Sequence, residues 1–241
     1  GDTSNRSSPT QIGSGAYWKK ISGGNRSSFA IKNDGTLWAW GSNQYGQLCN
    51  GTATDYSSPI QVGSSSNWQS VFMSQSGSSA FFIKTDGTLW GCGYNSQYNL
   101  GNGSNTAYSS PIQIGSLNNW SVVAPGSWAT AAVKTDGSLW TWGNNYYGEL
   151  GLGLSNTGLT YSSPVQVGVL ANWKSVAGSF YHFAAIRTDG TLWAWGKGDS
   201  GQLGNSKTIA YSSPVQIGSL SSWRSVACAY GTVMAVTDGY I

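Results

Sequence analysis

From Pro164 to Trp195 the chain alternates apolar and polar residues in short runs separated by glycine-containing gaps, a pattern that predicts four β-strands. The run Pro164–Val167 is the first strand, with proline at a first position where no ladder donor is needed, and Gly168 ends it. Trp173–Ala177 and Phe183–Arg187 follow, and Thr188-Asp189-Gly190 then supplies the Asp-Gly pair of a tight hairpin turn. In the fourth strand, Thr191–Trp195, alternation puts Trp193 and Trp195 on one face and Leu192 and Ala194 on the other. Both faces are apolar, so the sheet must be covered on both sides. Small residues on the third strand, Ala184 and Ala185 here and Ala131 and Ala132 one unit earlier, leave room for indole rings from a neighbouring sheet.

The same pattern recurs. Prolines fall at Pro9, Pro59, Pro111, Pro164 and Pro214, a period of 50 to 53 residues, and Asp-Gly pairs begin at Asp34, Asp86, Asp136, Asp189 and Asp238. A strand-rich unit of this size cannot bury its own faces and must stack on copies of itself. The expected fold is all-β: a β-propeller of four-stranded blades forming one array over residues 1–241, with units 9–58, 59–110, 111–163, 164–213 and an incomplete 214–241. The last unit stops inside its fourth strand and the first eight residues read as a connector. Exposed strand edges are costly, so a longer array, or a cover over those edges, is expected.

Composition narrows the function. Charged residues are 9% of the chain, against roughly 25% in an average domain, so the surface is a nearly neutral coat of Ser, Thr, Asn, Gln and Gly. The net charge of +3 is dispersed, because Lys32, Lys84, Lys134 and Arg187 share one template position two residues before each Asp; this argues against a nucleic-acid partner. No apolar run approaches the roughly 18 residues of a spanning helix, so no membrane insertion is expected. Cys49, Cys92 and Cys228 sit at different template positions without metal-ligand spacing; an odd count leaves at least one unpaired, and all three read as buried drift of the repeat. One carboxylate per Asp-Gly turn is far short of a calcium site, and the lone His182 excludes a multi-histidine one, so neither metal nor cofactor is expected. His182, Glu149, Asp55 and Asp199 lie apart with no nucleophile at recognisable spacing, which argues against an enzyme. Most tryptophans recur at template positions and belong to the core; Trp128 fits neither series.

Loop lengths then separate the two ends of a blade. In every unit the Gly-to-Trp step, Gly168 to Trp173 for example, is five residues, and the step from the last third-strand aliphatic to the fourth-strand Trp is seven in all four units that contain it. At the other end the span from Trp68 to Ile83 is two residues longer than its counterparts, and Gly143 to Pro164 is three longer. Variation on a constant scaffold marks a binding face. The candidate binding residues are the non-template groups at that end: Arg26, Trp128, Phe180, Tyr181, His182, Tyr230, Tyr146 and Tyr147, with Tyr45 and Tyr98 on connectors.

The segments Trp38-Ala39-Trp40-Gly41-Ser42-Asn43-Gln44-Tyr45-Gly46-Gln47-Leu48 and Trp193-Ala194-Trp195-Gly196, continuing to Gly201-Gln202-Leu203-Gly204, resemble the repeat of the regulator of chromosome condensation family over essentially the whole chain. The resemblance implies a propeller, usually of seven blades, and so a longer chain. Its nuclear members exchange guanine nucleotide on a small GTPase through a wedge-like insertion, whereas no unit here has an insertion longer than three residues. The family histidine appears only at His182. The charge-poor Tyr-Ser-Ser-Pro units look like those of bacterial and phage surface proteins. The expected function is a non-enzymatic interaction or adhesion module, extracellular or on a virion surface, whose loop-rich face binds a protein or glycan of a host surface or neighbouring subunits of its own assembly. The alternatives are a regulator of a small GTPase and a purely structural virion component.

Overall fold

A computed structural model describes residues 4, 7–13, 17–153 and 158–238. Among them are four four-stranded antiparallel sheets and one two-stranded sheet, arranged as successive blades. Blade 1 is β1 (Trp18–Gly23), β2 (Ser27–Lys32), β3 (Leu37–Gly41) and β4 (Tyr56–Gln61). Blade 2 is β5 (Trp68–Met73), β6 (Ser79–Lys84), β7 (Leu89–Gly93) and β8 (Tyr108–Gln113). Blade 3 is β9 (Trp120–Pro125), β10 (Ala129–Lys134), β11 (Leu139–Asn144) and β12 (Thr160–Gln166). Blade 4 is β13 (Trp173–Gly178), β14 (His182–Arg187), β15 (Leu192–Gly196) and β16 (Tyr211–Gln216), and blade 5 is β17 (Trp223–Ala229) with β18 (Thr232–Thr237). The turn beyond Asp238 lies outside the described residues.

One expectation is corrected. The Ser-Ser-Pro strand does not open its own blade but closes the one before: Tyr211–Gln216 pairs with β15 and Tyr56–Gln61 with β3. It is the outer edge strand, where a proline's missing N–H costs no ladder bond. The Trp-led strands β1, β5, β9, β13 and β17 are innermost. Met73, Val123, Val176 and Ala227 line a central channel of about 250 Å³, and Gln75 Nε2 donates to the Cys228 carbonyl at 3.0 Å, tying blade 2 to blade 5.

Both faces of each interior blade are buried, as the alternation requires. Ala132 and Trp142 of blade 3 pack with Phe81, Leu89 and Leu100 of blade 2, while Ala131, Val133 and Leu139 pack with Phe183 and Trp195 of blade 4. The second Trp of the Trp-x-Trp in blades 3 and 4 is a lock: Trp142 Nε1 donates to the Asn99 carbonyl and Trp195 Nε1 to the Glu149 carbonyl, both at 2.8 Å, each reaching the connector of the preceding blade. A buried asparagine ties up each of the first three connectors; Asn43 Oδ1 accepts from Leu48 N at 2.8 Å, and Asn95 and Asn145 do the same for Leu100 and Leu150.

The turn end is the same in every complete blade. Asp34 Oδ1 accepts from the Thr36 amide and hydroxyl at 3.0 and 2.7 Å, and the Thr36 hydroxyl accepts from Trp38 Nε1 at 2.9 Å. Asp86, Asp136 and Asp189 repeat the chain with Thr88, Ser138 and Thr191. Gly35 has φ +79°, and a Cβ there would collide with the Ser66 carbonyl. The template cations are clamped between indoles: Lys134 Nζ lies 3.5 Å from the Trp140 ring and 4.8 Å from Trp120, and Arg187 sits 3.7 and 4.5 Å from Trp193 and Trp173.

The three cysteines are buried, but two of them are not drift: Cys49 and Cys92 form a disulfide between blades 1 and 2, with Cα atoms 5.8 Å apart. Cys228 is the free thiol, its pKa pushed up to about 12 by burial.

Candidate interaction surface

The opposite end is built on one backbone device. The residue after each third-strand glycine, Gly41, Gly93, Gly143 or Gly196, donates its N–H to the carbonyl of the residue just before the neighbouring strand: Ser42 to Arg26, Tyr94 to Ser78, Asn144 to Trp128 and Lys197 to Tyr181, at 2.8 to 2.9 Å. Arg26, Ser78, Trp128 and Tyr181 are therefore the same position in four blades. Main-chain atoms make the brace, so the fold leaves the side chain open, and each blade carries a different one.

Blades 3 and 4 place rings at this position, Trp128 and Tyr181, and rings from the adjoining loop residues of blades 3 to 5 touch them in sequence. Tyr146 meets Tyr147 at 4.8 Å between centroids, Tyr147 meets Tyr181 at 5.3 Å, and Tyr181 meets Trp128 at 5.1 Å and Phe180 at 6.1 Å. Phe180 then meets Tyr230 at 4.9 Å. Edge-to-face geometry dominates the ridge, which leaves ring faces open. Tyr230 is 77% exposed, Tyr146 52% and Trp128 37%, an unusual amount for rings already in contact with one another. Tyr45 and Tyr94, 5.6 Å apart, form a second wall on blades 1 and 2. Between the walls runs a groove of about 410 Å³ lined also by Ser76, Ser78 and Ser127. The longer loop of blade 2, read from the Trp68 to Ile83 span, supplies Ser76 and Ser78. Part of the longer connector, residues 154–157, lies outside the described residues.

Among the described residues no charged side chain lines the groove. Lys197 stands at its margin, Nζ 4.9 Å from the Tyr147 ring and 5.6 Å from Tyr181, and pairs with Asp199 at 3.5 Å. Burial, reinforced by Tyr147 and opposed by Lys197, pushes the Tyr181 phenol above its usual pKa, so it stays a neutral donor. Beneath Tyr147, Glu149 is 1% exposed; Oε2 accepts from the Tyr147 amide at 2.7 Å while Oε1 has no partner. Burial raises its pKa to about 7. Gln47 and Gln202 fill this slot in blades 1 and 4 and accept from Tyr45 and Ser200 in the same way, so Glu149 is a carboxyl in an amide's place.

Six of the sequence candidates, Trp128, Phe180, Tyr181, Tyr146, Tyr147 and Tyr230, come together in the ridge. Two do not. His182 is corrected from a loop residue to the first residue of β14; it is 2% exposed, and burial lowers its pKa, so it offers nothing to a ligand. Arg26 is exposed on blade 1 but lies away from the groove lining. Sequence reasoning missed Tyr94 and Lys197. Aligning the units on the glycine of Trp-x-Trp-Gly would have shown them, because Ser42, Tyr94, Asn144 and Lys197 share one position. Among the described residues no cluster of three or more His, Cys, Asp or Glu could hold a metal ion.

Comparison with solved structures places this arc of blades among propellers. It is similar to human WBSCR16, at 22% identity and TM-score 0.80, covering 92% of this chain and 58% of that one. It is also similar to yeast RCC1 (Prp20) bound to Kap60, at 17% identity and TM-score 0.80, covering 95% and 56%. A second structure of the Saccharomyces cerevisiae protein, described together with its binding to Gsp1p and histones, matches at the same identity and TM-score and covers 95% and 59%. The chain thus spans less than two thirds of the length of each. No curated protein sequence matches it. The model of the regulator of chromosome condensation (RCC1) repeat matches residues 34–81, 86–133, 136–186 and 189–236, and a second model of that repeat matches 18–47, 121–149 and 173–202. With four successive matches over most of its length, the chain belongs to the regulator of chromosome condensation repeat family.

Proposed function

We propose that this chain is a non-enzymatic protein-interaction module, displayed outside a cell or on a particle surface, that docks its partner in the aromatic groove. The observation that carries the reading is that Trp128 and Tyr181, the touching rings at the centre of the ridge, stand at the template position braced through main-chain atoms alone. An uncharged groove with open ring faces and serine hydroxyls suits an uncharged, ring- or proline-bearing segment of a protein partner. The nearly neutral coat, with 9% charged residues, supports a display role. Binding to peptide and glycan arrays, compared between the native chain and Trp128→Ala/Tyr181→Ala, tests it. Peptide binding lost in the variant supports the reading; glycan binding alone redirects the partner class, and undiminished peptide binding discards the groove.

A second reading, regulation of a small GTPase, is favoured by the likeness to Prp20, whose structure is described with its binding to Gsp1p. Nucleotide release from a GTPase panel decides it, and no acceleration removes it.

A further inference from the structure

Cys49 and Cys92 stand where the other interfaces carry a glycine and a tryptophan. Between blades 2 and 3 the Trp142 ring lies so close to Gly101 that a Cβ there would come within 2.7 Å of it; between blades 3 and 4 a Cβ on Gly151 would come within 3.1 Å of the Trp195 ring. The pair is complementary by volume, since the indole fits because the Cβ is missing. Between blades 1 and 2 both members change together. Cys92 takes the tryptophan position and Cys49 the glycine position, and both Sγ atoms lie 3.7 Å from the Gln47 carbonyl, at the place where the Asn99 and Glu149 carbonyls receive an indole N–H. Cys49 even keeps the glycine's left-handed backbone, at φ +58°, which a side chain adopts only at a cost. Either change alone would fail: a cysteine opposite tryptophan collides, and a cysteine opposite glycine leaves an indole-sized void.

We infer that the Cys49–Cys92 disulfide is a covalent replacement for the indole–glycine lock, formed while the chain folds in a compartment that supplies a disulfide oxidant, and that it fixes the Tyr45/Tyr94 wall of the groove. One thiolate attacks the oxidant's disulfide, RSSR, giving a mixed disulfide and releasing one thiol. The second thiolate displaces the remaining RS⁻. In sum, two protein thiols lose two electrons and two protons, and RSSR becomes two RSH. Cys49 is 2% exposed and Cys92 0%, so exchange precedes closure of the two blades and the finished bond is shielded from external thiols. Cys49 lies four residues after Tyr45, and Cys92 lies two before Tyr94, so the bond joins the two segments that carry the wall.

Alkylation of the natively produced protein under denaturing conditions, read by mass, is expected to modify Cys228 alone; three modified cysteines overturn the proposal. Unfolding then compares the native chain with Cys49→Gly/Cys92→Trp and Cys49→Ala/Cys92→Ala. The native chain, unfolded and refolded in dithiothreitol, should lose roughly 5–15 °C in Tm. The Gly/Trp variant should fold with or without reductant and melt well above the Ala/Ala variant. Equal melting of the two variants refutes the equivalence. The clause on the wall rests on the docking role proposed above, and amide exchange at Tyr45 and Tyr94 reads it without any ligand. Exchange should quicken in the reduced protein, and unchanged exchange removes that clause alone.

Discussion

The two ends of a blade are built from the same strands and follow opposite rules. At the turn end side chains hold the backbone: Asp34, Thr36 and Trp38 form one hydrogen-bonded chain, Lys32 is clamped between two indoles, and every complete blade repeats the arrangement. At the loop end the residues before each second strand are held backbone to backbone, through amides such as Lys197 N reaching the Tyr181 carbonyl, and their side chains differ from blade to blade. Sequence constancy here follows the type of bond rather than exposure, for Asp34 is as open to solvent as any loop residue. Uniformity marks what the fold requires, and variety marks what it leaves to function.

Removing an inter-blade lock should have the largest effect. Trp142→Ala strips a fully buried indole and its bond to the Asn99 carbonyl, and should cost about 3–5 kcal/mol in a urea unfolding experiment. A smaller loss means the interface collapses around the gap.

Next comes Glu149. Its folded pKa of about 7 lies above its ordinary value of 4.5, so the folded state holds the proton more tightly. Stability should therefore be greatest below the ordinary value and fall as pH rises through the window up to about 7, by about 3 kcal/mol in all. Glu149→Gln restores the amide used in blades 1 and 4 and should flatten the pH profile; an unaltered slope would show that another group titrates there.

The paired ring change, Trp128→Ala/Tyr181→Ala, should move unfolding far less than Trp142→Ala while reducing partner binding at least about tenfold. Comparable damage to stability would make the ridge part of the scaffold and erase the contrast between the ends. The smallest effect belongs to Asp86→Asn. The Thr88 hydroxyl and amide hold this carboxyl below its usual pKa, so its contribution is present above the ordinary carboxylate range and disappears only as pH falls through the lowered value. The variant should lose that part of the acid unfolding curve and otherwise resemble the native chain.

Strands, turns and the two-faced core could be read from residues because Asp-Gly pairs and Trp-x-Trp alternation are local. What failed depends on neighbours in space. Nothing in Tyr211–Gln216 says whether it opens one blade or closes another, because an edge strand pairs on one side only and its partner is a matter of register. His182 reads from the sequence as a loop residue one position short of its strand, and as part of that strand, whose two faces are both covered, it is buried. The cysteine pair escaped because its meaning lies in the volume across an interface, and Cys49 and Cys92 are 43 residues apart. The ridge was legible as a set of non-template rings, but the groove was not, since its second wall depends on Tyr94 meeting Tyr45.

The brace behind each loop makes the upper face a panel of interchangeable tiles. Exchanging Trp128 for the arginine of blade 1 should leave every strand ladder and every lock in place, because an amide and a carbonyl make the brace that joins tile to frame. A lineage carrying this array can redraw its recognition pattern one blade at a time without passing through an unfolded intermediate.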